Sequence, residues 1–405
     1  MAEYYNQFNK HYMWLVSQPT VSYRFKVELL DHWEQSHGEI VRDISESENY
    51  NININKSQGT RRTCTLTFID KEGKYLPSIN NPFWYNKKFK LYVGIVDGLD
   101  THWYTQGVFV CSKATATRHV VTINGVDKYG FLDGTLNTHM MTEKYVIDVG
   151  SRVEEVVKET LMLELGNGKP IDPITPLIDP KIGNRVTEYE ISLDPGVYLG
   201  EILSQLCSMF GADIYYDING RLRVEHIFND DIPFYYVYRA SYWHFNDIHE
   251  TYSEPSVDYG MDGVNYIVVS TDNTEGEVYS YTAINDNPHS PVCVSSVGYR
   301  CDPDSPITYI PVGDTSIILD PVEKCRQHAE WLLLQKTCMS LSISFQSIML
   351  PHLTEGEIIT VTDKFFGFDE QKFLVQSITF NGKDKMNISA INIQWLPTDT
   401  ETTNR

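Results

Sequence analysis

The sequence holds few of the features that announce an activity. It has no G-x-S-x-G elbow, no H-E-x-x-H pair and no phosphate-binding Walker loop, so nothing points to a serine hydrolase, a zinc peptidase or a nucleotidase. Basic residues are scarce: 33 Lys and Arg stand against 54 Asp and Glu, a formal charge of −21. A surface of that sign repels nucleic acid. Arg61-Arg62 and Lys87-Lys88 are only pairs, not a basic stripe. Long apolar runs are missing, and no segment approaches the roughly 20 apolar residues of a membrane helix. The first twenty residues lack the basic start and apolar core of a signal peptide, which implies synthesis in a cytoplasm without an export signal. C-x-x-C is absent, and the seven cysteines (Cys64, Cys111, Cys207, Cys293, Cys301, Cys325 and Cys338) are odd in number. That pattern implies reduced, mostly buried thiols. Cys325 and Cys338 on one helix are about 20 Å apart, too far to bridge. Cys293 and Cys301 alone are near enough in sequence to do so.

What is present reads as strands. The 405 residues are 41% hydrophobic and 21% charged, the balance of a globular protein with room for two to four domains. Tyr outnumbers Phe, 26 to 17, which suits half-buried sheets and protein interfaces. The chain is organised around VVTINGVDKYGFLDG, Val120–Gly134. Val121 and Ile123 alternate with Thr122 and Asn124, Gly125 breaks the alternation, and Asp127, Gly130 and Gly134 bend the chain. Upstream, period-2 runs recur at Tyr23–Leu30, Glu39–Ile44, Asn51–Asn55, Thr63–Asp70, Phe89–Val96, Gly107–Ser112 and His119–Asn124, which suggests a barrel or a sandwich. Downstream the period changes. Ser151 and Glu154 form a capping box ahead of a helix, and Asp194-Pro195 opens a second helix that Gly211 caps. Asn219-Gly220 then turns a hairpin between Ala212–Tyr216 and Arg221–Glu225. Further runs fall at Val264–Ser270 and Glu277–Ile284. Asp320-Pro321 starts a third helix, and the chain closes on a meander of Leu341–Ile348, Gly356–Thr362, Lys372–Phe380 and Met386–Gln394. The fold class is mainly β with α+β insertions. The expected division is an arm at 1–20, a β module at 21–145, a helix–hairpin module at 146–250, a second β module at 251–396 with a helix at 320–339, and a mobile tail at 397–405.

Candidates for chemistry are weak. Cys207 lies beside the apolar stripe of the second helix and reads as core rather than as a nucleophile. His244 and His249 flank the stretch WHFNDIHE, the densest metal-like cluster, which reads as a solvated loop. Asp213 and Asp217 are the imaginable glycosidase pair, but four strand positions separate them by about 13 Å, beyond the spacing that chemistry uses. Asp217 reads as a turn residue. Thr271–Glu277 lacks the spacing of a calcium loop. The aromatic run Tyr235–Trp243 offers either a sugar-binding patch or a buried interface. No catalytic, metal or cofactor residue is assigned.

Several stretches in one order carry a resemblance: RRTCTLTFID with NNPFWYNKKFKLYVGI, then TINGVDKYGFLDGTL, GNGKPIDPITPLID, ADIYYDINGRLRVE and the C-terminal helix with its meander. This order resembles the tail hub proteins of phages of Gram-positive bacteria, relatives in fold of the central baseplate hub of contractile-tailed phages. The likeness runs from about residue 40 to 395 and its motifs are structural, none of them catalytic. It implies a non-enzymatic virion protein with two tube-like β-barrel domains flanking the mixed module. It implies a homotrimer that closes the distal end of the tail tube and surrounds a channel for DNA passage. The implied partners are the tail tube or distal tail protein, a tip, spike or fibre protein, and the tape measure protein. Assembly would occur in the host cytoplasm. The acidic surface then has a role at a channel wall, where it keeps DNA from sticking. The aromatic arm has no place in the family pattern. Two other readings stand beside this one. A carbohydrate-binding receptor module would use Tyr236 and Trp243, and a cell-wall hydrolase would need a catalytic pair that the sequence does not show.

Overall fold

A computed structural model of the chain describes residues 10–18, 20–41, 44, 51–56, 59–137, 140–164, 166–188, 190–226, 240–246, 255–260, 263–271, 278–288, 290, 292–309, 321–338, 341–381 and 385–392. A short helix, α1 (Lys10–Val16), precedes seven strands: β1 (Tyr23–Leu30), β2 (Ser36–Ile40), β3 (Asn51–Asn55), β4 (Arg62–Ile69), β5 (Lys88–Asp97), β6 (Asp100–Thr117) and β7 (Val120–Asp127). Period-2 burial explains them. Val27, Ile52, Ile54, Leu66, Val93 and Ile123 are all buried, and their polar neighbours face outward.

A single 3-10 turn at Lys128–Phe131 leads into the helix–hairpin part. It holds β8 (Tyr145–Ile147), α2 (Val153–Met162), β9 (Leu177–Ile178), α3 (Pro180–Gly183), β10 (Ile191–Leu193), α4 (Gly200–Phe210), β11 (Ala212–Tyr216) and β12 (Leu222–His226). The α4 stripe of Leu199, Ile202, Leu203, Leu206, Met209 and Phe210 is buried as its spacing implies, and Gly211 caps the helix in the left-handed conformation. Both helix starts differ from expectation. α4 begins after Asp194-Pro195 because Gly196, at φ +94°, takes a path no right-handed helix can follow. At α2 the first helical residue is Val153, so Ser151 is out of register for a capping box. Its hydroxyl donates to the Asp148 carbonyl instead, and Glu154 accepts from Lys158.

The remaining elements are β13 (Ala240–Asn246), β14 (Ser256–Asp258), β15 (Tyr266–Thr271), β16 (Ser280–Ile284), α5 (Val294–Val297), β17 (Ile307–Tyr309), α6 (Pro321–Cys338), β18 (Ser342–Ile348), β19 (Ile358–Asp363), β20 (Phe368–Asn381) and β21 (Lys385–Asn392). Strands β15–β17 and α6 share a small core of Ile267, Val269, Ala283, Cys325, Ala329 and Leu333.

The β strands at the two ends of the chain form one sheet, in the order β14-β18-β21-β20-β3-β4-β7-β6-β5-β1-β2, with β13 and β19 branching from β20. The seam is β3 against β20, where Ile54 faces Ile378 and Ile52 faces Phe380. The first half of β20 pairs with β19 and its second half with β3. One apolar core underlies both ends, joining Phe25, Phe68 and Phe89 to Ile343, Val361 and Phe373. Strands from the two expected β modules thus lie in a shared sheet, and no closed barrel forms among the described residues. β3 and the second half of β20 both alternate apolar and polar residues, so in register their apolar residues fall on the same face of the sheet.

Gly125 does not end a strand. β7 runs through it, and a Cβ there would lie 2.7 Å from the Phe89 ring and 2.9 Å from Cys64 Sγ. The glycine lets two layers of side chains close over the strand. Gly125→Ala is expected to destabilise the protein by about 1–3 kcal/mol through overpacking, read as a lower denaturant midpoint with an unchanged slope. Ile378→Ala, at the seam, is expected to cost about 2–5 kcal/mol and to shift the unfolding of both ends together. Two separate transitions for the N- and C-terminal strands would count against a shared sheet.

Candidate functional site

The loop between β18 and β19 is apolar where loops are ordinarily polar. Met349, Leu350 and Leu353 are buried. Four residues from the N-terminal part of the chain hold it. The Tyr23 hydroxyl donates to the Met349 carbonyl at 2.7 Å, and Gln106 Nε2 donates to the Pro351 carbonyl at 2.8 Å. The Tyr12 hydroxyl lies 2.6 Å from His352 Nδ1. Burial holds the His352 imidazole down at about 3, so it is neutral. The fourth residue is Arg62.

Arg62 and Glu355 form an ion pair with both side chains 1% exposed. The guanidinium also donates to the Thr354 hydroxyl at 2.7 Å and to the Tyr216 carbonyl at 3.0 Å. It therefore joins β4, the hairpin strand β11 and the β18–β19 loop. A planar fork of five donors is the side chain suited to three partners in different directions. The Arg62 backbone N–H donates to Asp127 Oδ2, and Tyr129 N–H donates to Asp127 Oδ1, each at 2.9 Å. Burial still pushes the Asp127 carboxyl up to about 7.

Two further charged clusters tie the helix–hairpin part to the sheet. Lys128 Nζ donates to both oxygens of Asp172, at 2.9 and 2.8 Å, and to Glu34; Lys88 donates to Glu34 at 3.2 Å. Lys88, Lys128 and Asp172 side chains are all fully covered. Burial and the neighbouring Lys128 charge lower the Lys88 pKa. In the second cluster Asp213 accepts from Lys56 at 2.7 Å and from Arg61. These two cations hold the Asp213 carboxyl well below the usual range against the opposing effect of burial. Asp213 faces Glu225 across the β11–β12 hairpin. Burial pushes Glu225 up to about 7 although Arg223 opposes this, and the Asp213 charge adds to the rise. Lys324 of α6 donates to Glu188 at 2.6 Å and brings in the small α/β part.

The residues singled out from sequence fall as follows. Asp217 is a turn residue: Oδ1 accepts from the Asn219 and Arg221 backbone, and Oδ2 accepts from Arg223 Nε at 2.8 Å. Asp213 is an inter-module anchor, so the two aspartates serve separate structural ends. The Cys207 thiol is pushed up to about 12 by burial and then by the Asp213 charge, which suits core and not a nucleophile. The six cysteines with described side chains are free thiols. The backbone of His244 and Trp243 lies in β13, which pairs in parallel with β19. Tyr235, Tyr236, His249 and residues 272–277 lie outside the described residues. Sequence reasoning missed the Met349–Glu355 loop and the role of Arg62. The signal was there: an apolar loop, MLPHLTE, ending on a lone acid.

Arg62→Ala is expected to cost about 3–5 kcal/mol, because it leaves Glu355 as a buried charge without its partner. Replacing both with leucine should recover much of that loss, measured by urea unfolding. A second expectation concerns pH. The folded-state pKa of Glu225 is raised from 4.5 to about 7, so its contribution to stability is full below 4.5 and is lost as pH rises through about 7. Wild-type stability should therefore fall between those values relative to Glu225→Gln, and parallel curves would show that Glu225 does not titrate in this way.

No protein-family model matches the sequence, and no curated protein does. Solved structures do match in fold. A tail protein from Neisseria meningitidis MC58 is 11% identical with a TM-score of 0.56, over 92% of this chain and 97% of that one. The 43 kDa tail protein of prophage MuSo2 from Shewanella oneidensis is 12% identical with a TM-score of 0.54, over 92% of this chain and all of that one. A chain of the Francisella PdpA–VgrG complex is 10% identical with a TM-score of 0.52, over 96% of this chain and 62% of that one. The structure therefore meets the resemblance read from the sequence at the level of fold: over 92% of its length this chain folds as these two tail proteins do.

Proposed function

We propose that the protein is a structural component of a phage tail, a hub at the distal end of the tail tube. The observation that carries this reading is the shared fold with two tail proteins over 92% of this chain and 97% or more of theirs. The interior agrees with a scaffold. Its buried ions are spent on joining parts of the chain, and the imaginable carboxylate pair is used as an anchor and a turn. The protein acts without catalysis and without a cofactor.

In this reading three copies form a ring with a central channel. Residues 21–145 and 251–396 of each chain supply two tube-like halves, barrel-like in the assembled ring, so that six halves face the tube. Residues 146–250 build the side that opens toward a tip, spike or fibre protein. The tail tube or distal tail protein docks on the other side, and the tape measure protein ends within the ring. The assembly forms in the host cytoplasm and ends in the virion. Channel walls are acidic: the formal charge of −21 has no basic stripe to offset it. DNA is repelled from such a wall and slides. The interfaces between copies are apolar and hydrogen-bonded, since like-charged subunits gain nothing from net attraction.

Light scattering on the purified protein is expected to show a species of three times 46.6 kDa, with ring-shaped particles in electron microscopy. A monomer that stays monomeric when mixed with the cognate tail tube would sink the hub reading.

A further inference from the structure

Among the described residues one cluster of metal-ligating side chains lies away from the junction: His11 on α1, Asp97 at the end of β5 and His102 on β6. His11 Nε2 is 3.1 Å from Asp97 Oδ2 and 3.3 Å from His102 Nε2. His102 Nε2 is 3.6 Å from the same Asp97 oxygen. Three atoms with lone pairs converge on one point. Hydrogen bonding accounts for the convergence only in part. If both imidazoles donate to Asp97 Oδ2, two N–H groups are left facing each other at 3.3 Å with no bond between them. A cation at the centre satisfies all three.

The separations carry chemical information. Metal–ligand bonds of about 2.0–2.1 Å in a tetrahedron place ligand atoms about 3.3 Å apart, and the three measured distances straddle that value. An octahedral site with the same bonds would hold neighbouring ligands about 3.0 Å apart. Two imidazoles and one carboxylate suit zinc better than calcium or magnesium, which take oxygen.

We propose that His11, Asp97 and His102 bind a zinc ion in a tetrahedral site whose fourth position faces solvent. The ligands are placed by the fold. The β5–β6 hairpin turns tightly at Gly98, with Asp97 opposite Asp100 and Ile95 opposite His102. The His11 ring stacks on Trp14 at 5.6 Å and meets His102 edge-on at 4.9 Å. Side-chain exposures of 47%, 35% and 40% leave a path for the ion and room for a fourth ligand. The ion fastens α1 to a hairpin 86 and more residues away in sequence. A helix of seven residues does not hold in water by itself. Tyr12, Leu15 and Val16 anchor one side of it in the core, and the zinc fastens the other. This gives α1 a reason for its position.

The test is zinc titration of the full-length protein, stripped with a chelator and followed by calorimetry and thermal unfolding. One tight equivalent per chain and a rise in Tm are expected, with cobalt giving the visible absorption of a four-coordinate site. His102→Ala and the near-isosteric Asp97→Asn, both on an exposed hairpin, should weaken the tight equivalent by about 100-fold or more. His119→Ala, at an exposed histidine elsewhere, should leave it unchanged. The proposal is overturned if the stripped wild type takes up no tight equivalent, or if His102→Ala and Asp97→Asn bind zinc as the wild type does.

Discussion

A buried guanidinium needs hydrogen-bond partners inside the protein, and Arg62, its backbone included, takes them from three parts of the chain. Its carboxylate partner comes from the β18–β19 loop, a carbonyl acceptor from the hairpin at Tyr216, and its own backbone is held by Asp127. None of these contacts can be loosened alone. Moving the hairpin leaves a buried donor unmet, and moving the loop leaves Glu355 as an isolated charge. The constraint therefore sets how the N-terminal strands, the hairpin and the C-terminal strands meet, and the apolar core closes around that arrangement. Tyr23, Gln106 and Tyr12 grip the same loop with neutral groups, so the join does not rest on one ion pair.

The charge distribution follows from the same physics. Inside, charges are matched: Arg62 with Glu355, Lys88 and Lys128 with Glu34 and Asp172, and Lys56 and Arg61 with Asp213. Asp127 is the exception, a buried carboxyl held by backbone N–H groups. The strong departures of Asp213 and Glu225 in opposite directions fit this division. The first has two cations beside it, while the second is covered and only partly compensated. Asp213 ties the hairpin to Lys56 and Arg61, while Glu225 is bonded by Arg223 and Tyr215 of its own hairpin.

Much of the fold was legible in the sequence, and for a physical reason. Alternation along Thr63–Asp70 or Met386–Asn392 encodes a strand because side chains on a pleated backbone point to opposite faces. The α4 stripe encodes a helix face, and Asn219-Gly220 encodes a tight turn, because these are local matters of backbone sterics. The helix starts were less legible. Ser151 and Glu154 carry the letters of a capping box, but the box works only in one register, and packing set the register one residue away. Of the junction little was visible beyond the apolar run at Met349–Leu353: Arg61-Arg62 reads only as a basic pair in the sequence, and both are buried.

The sequence by itself therefore determined most of the long strands, the α4 stripe, the Asn219-Gly220 turn and the acidic balance of the chain, but not α1, β9 or α3, and it set β2 at Glu39–Ile44 where the strand is Ser36–Ile40. Only the tertiary structure decided which strand pairs with which. β3 and β20 lie more than 300 residues apart, and any alternating strand could have met either by backbone chemistry alone. The choice was made by the shape of the shared core and by the need of each buried charge for a partner at contact distance. Such needs are set in space, and a linear order of residues does not display them. The same holds for His11, Asp97 and His102, three unremarkable polar residues until folding brings their ligand atoms to one point.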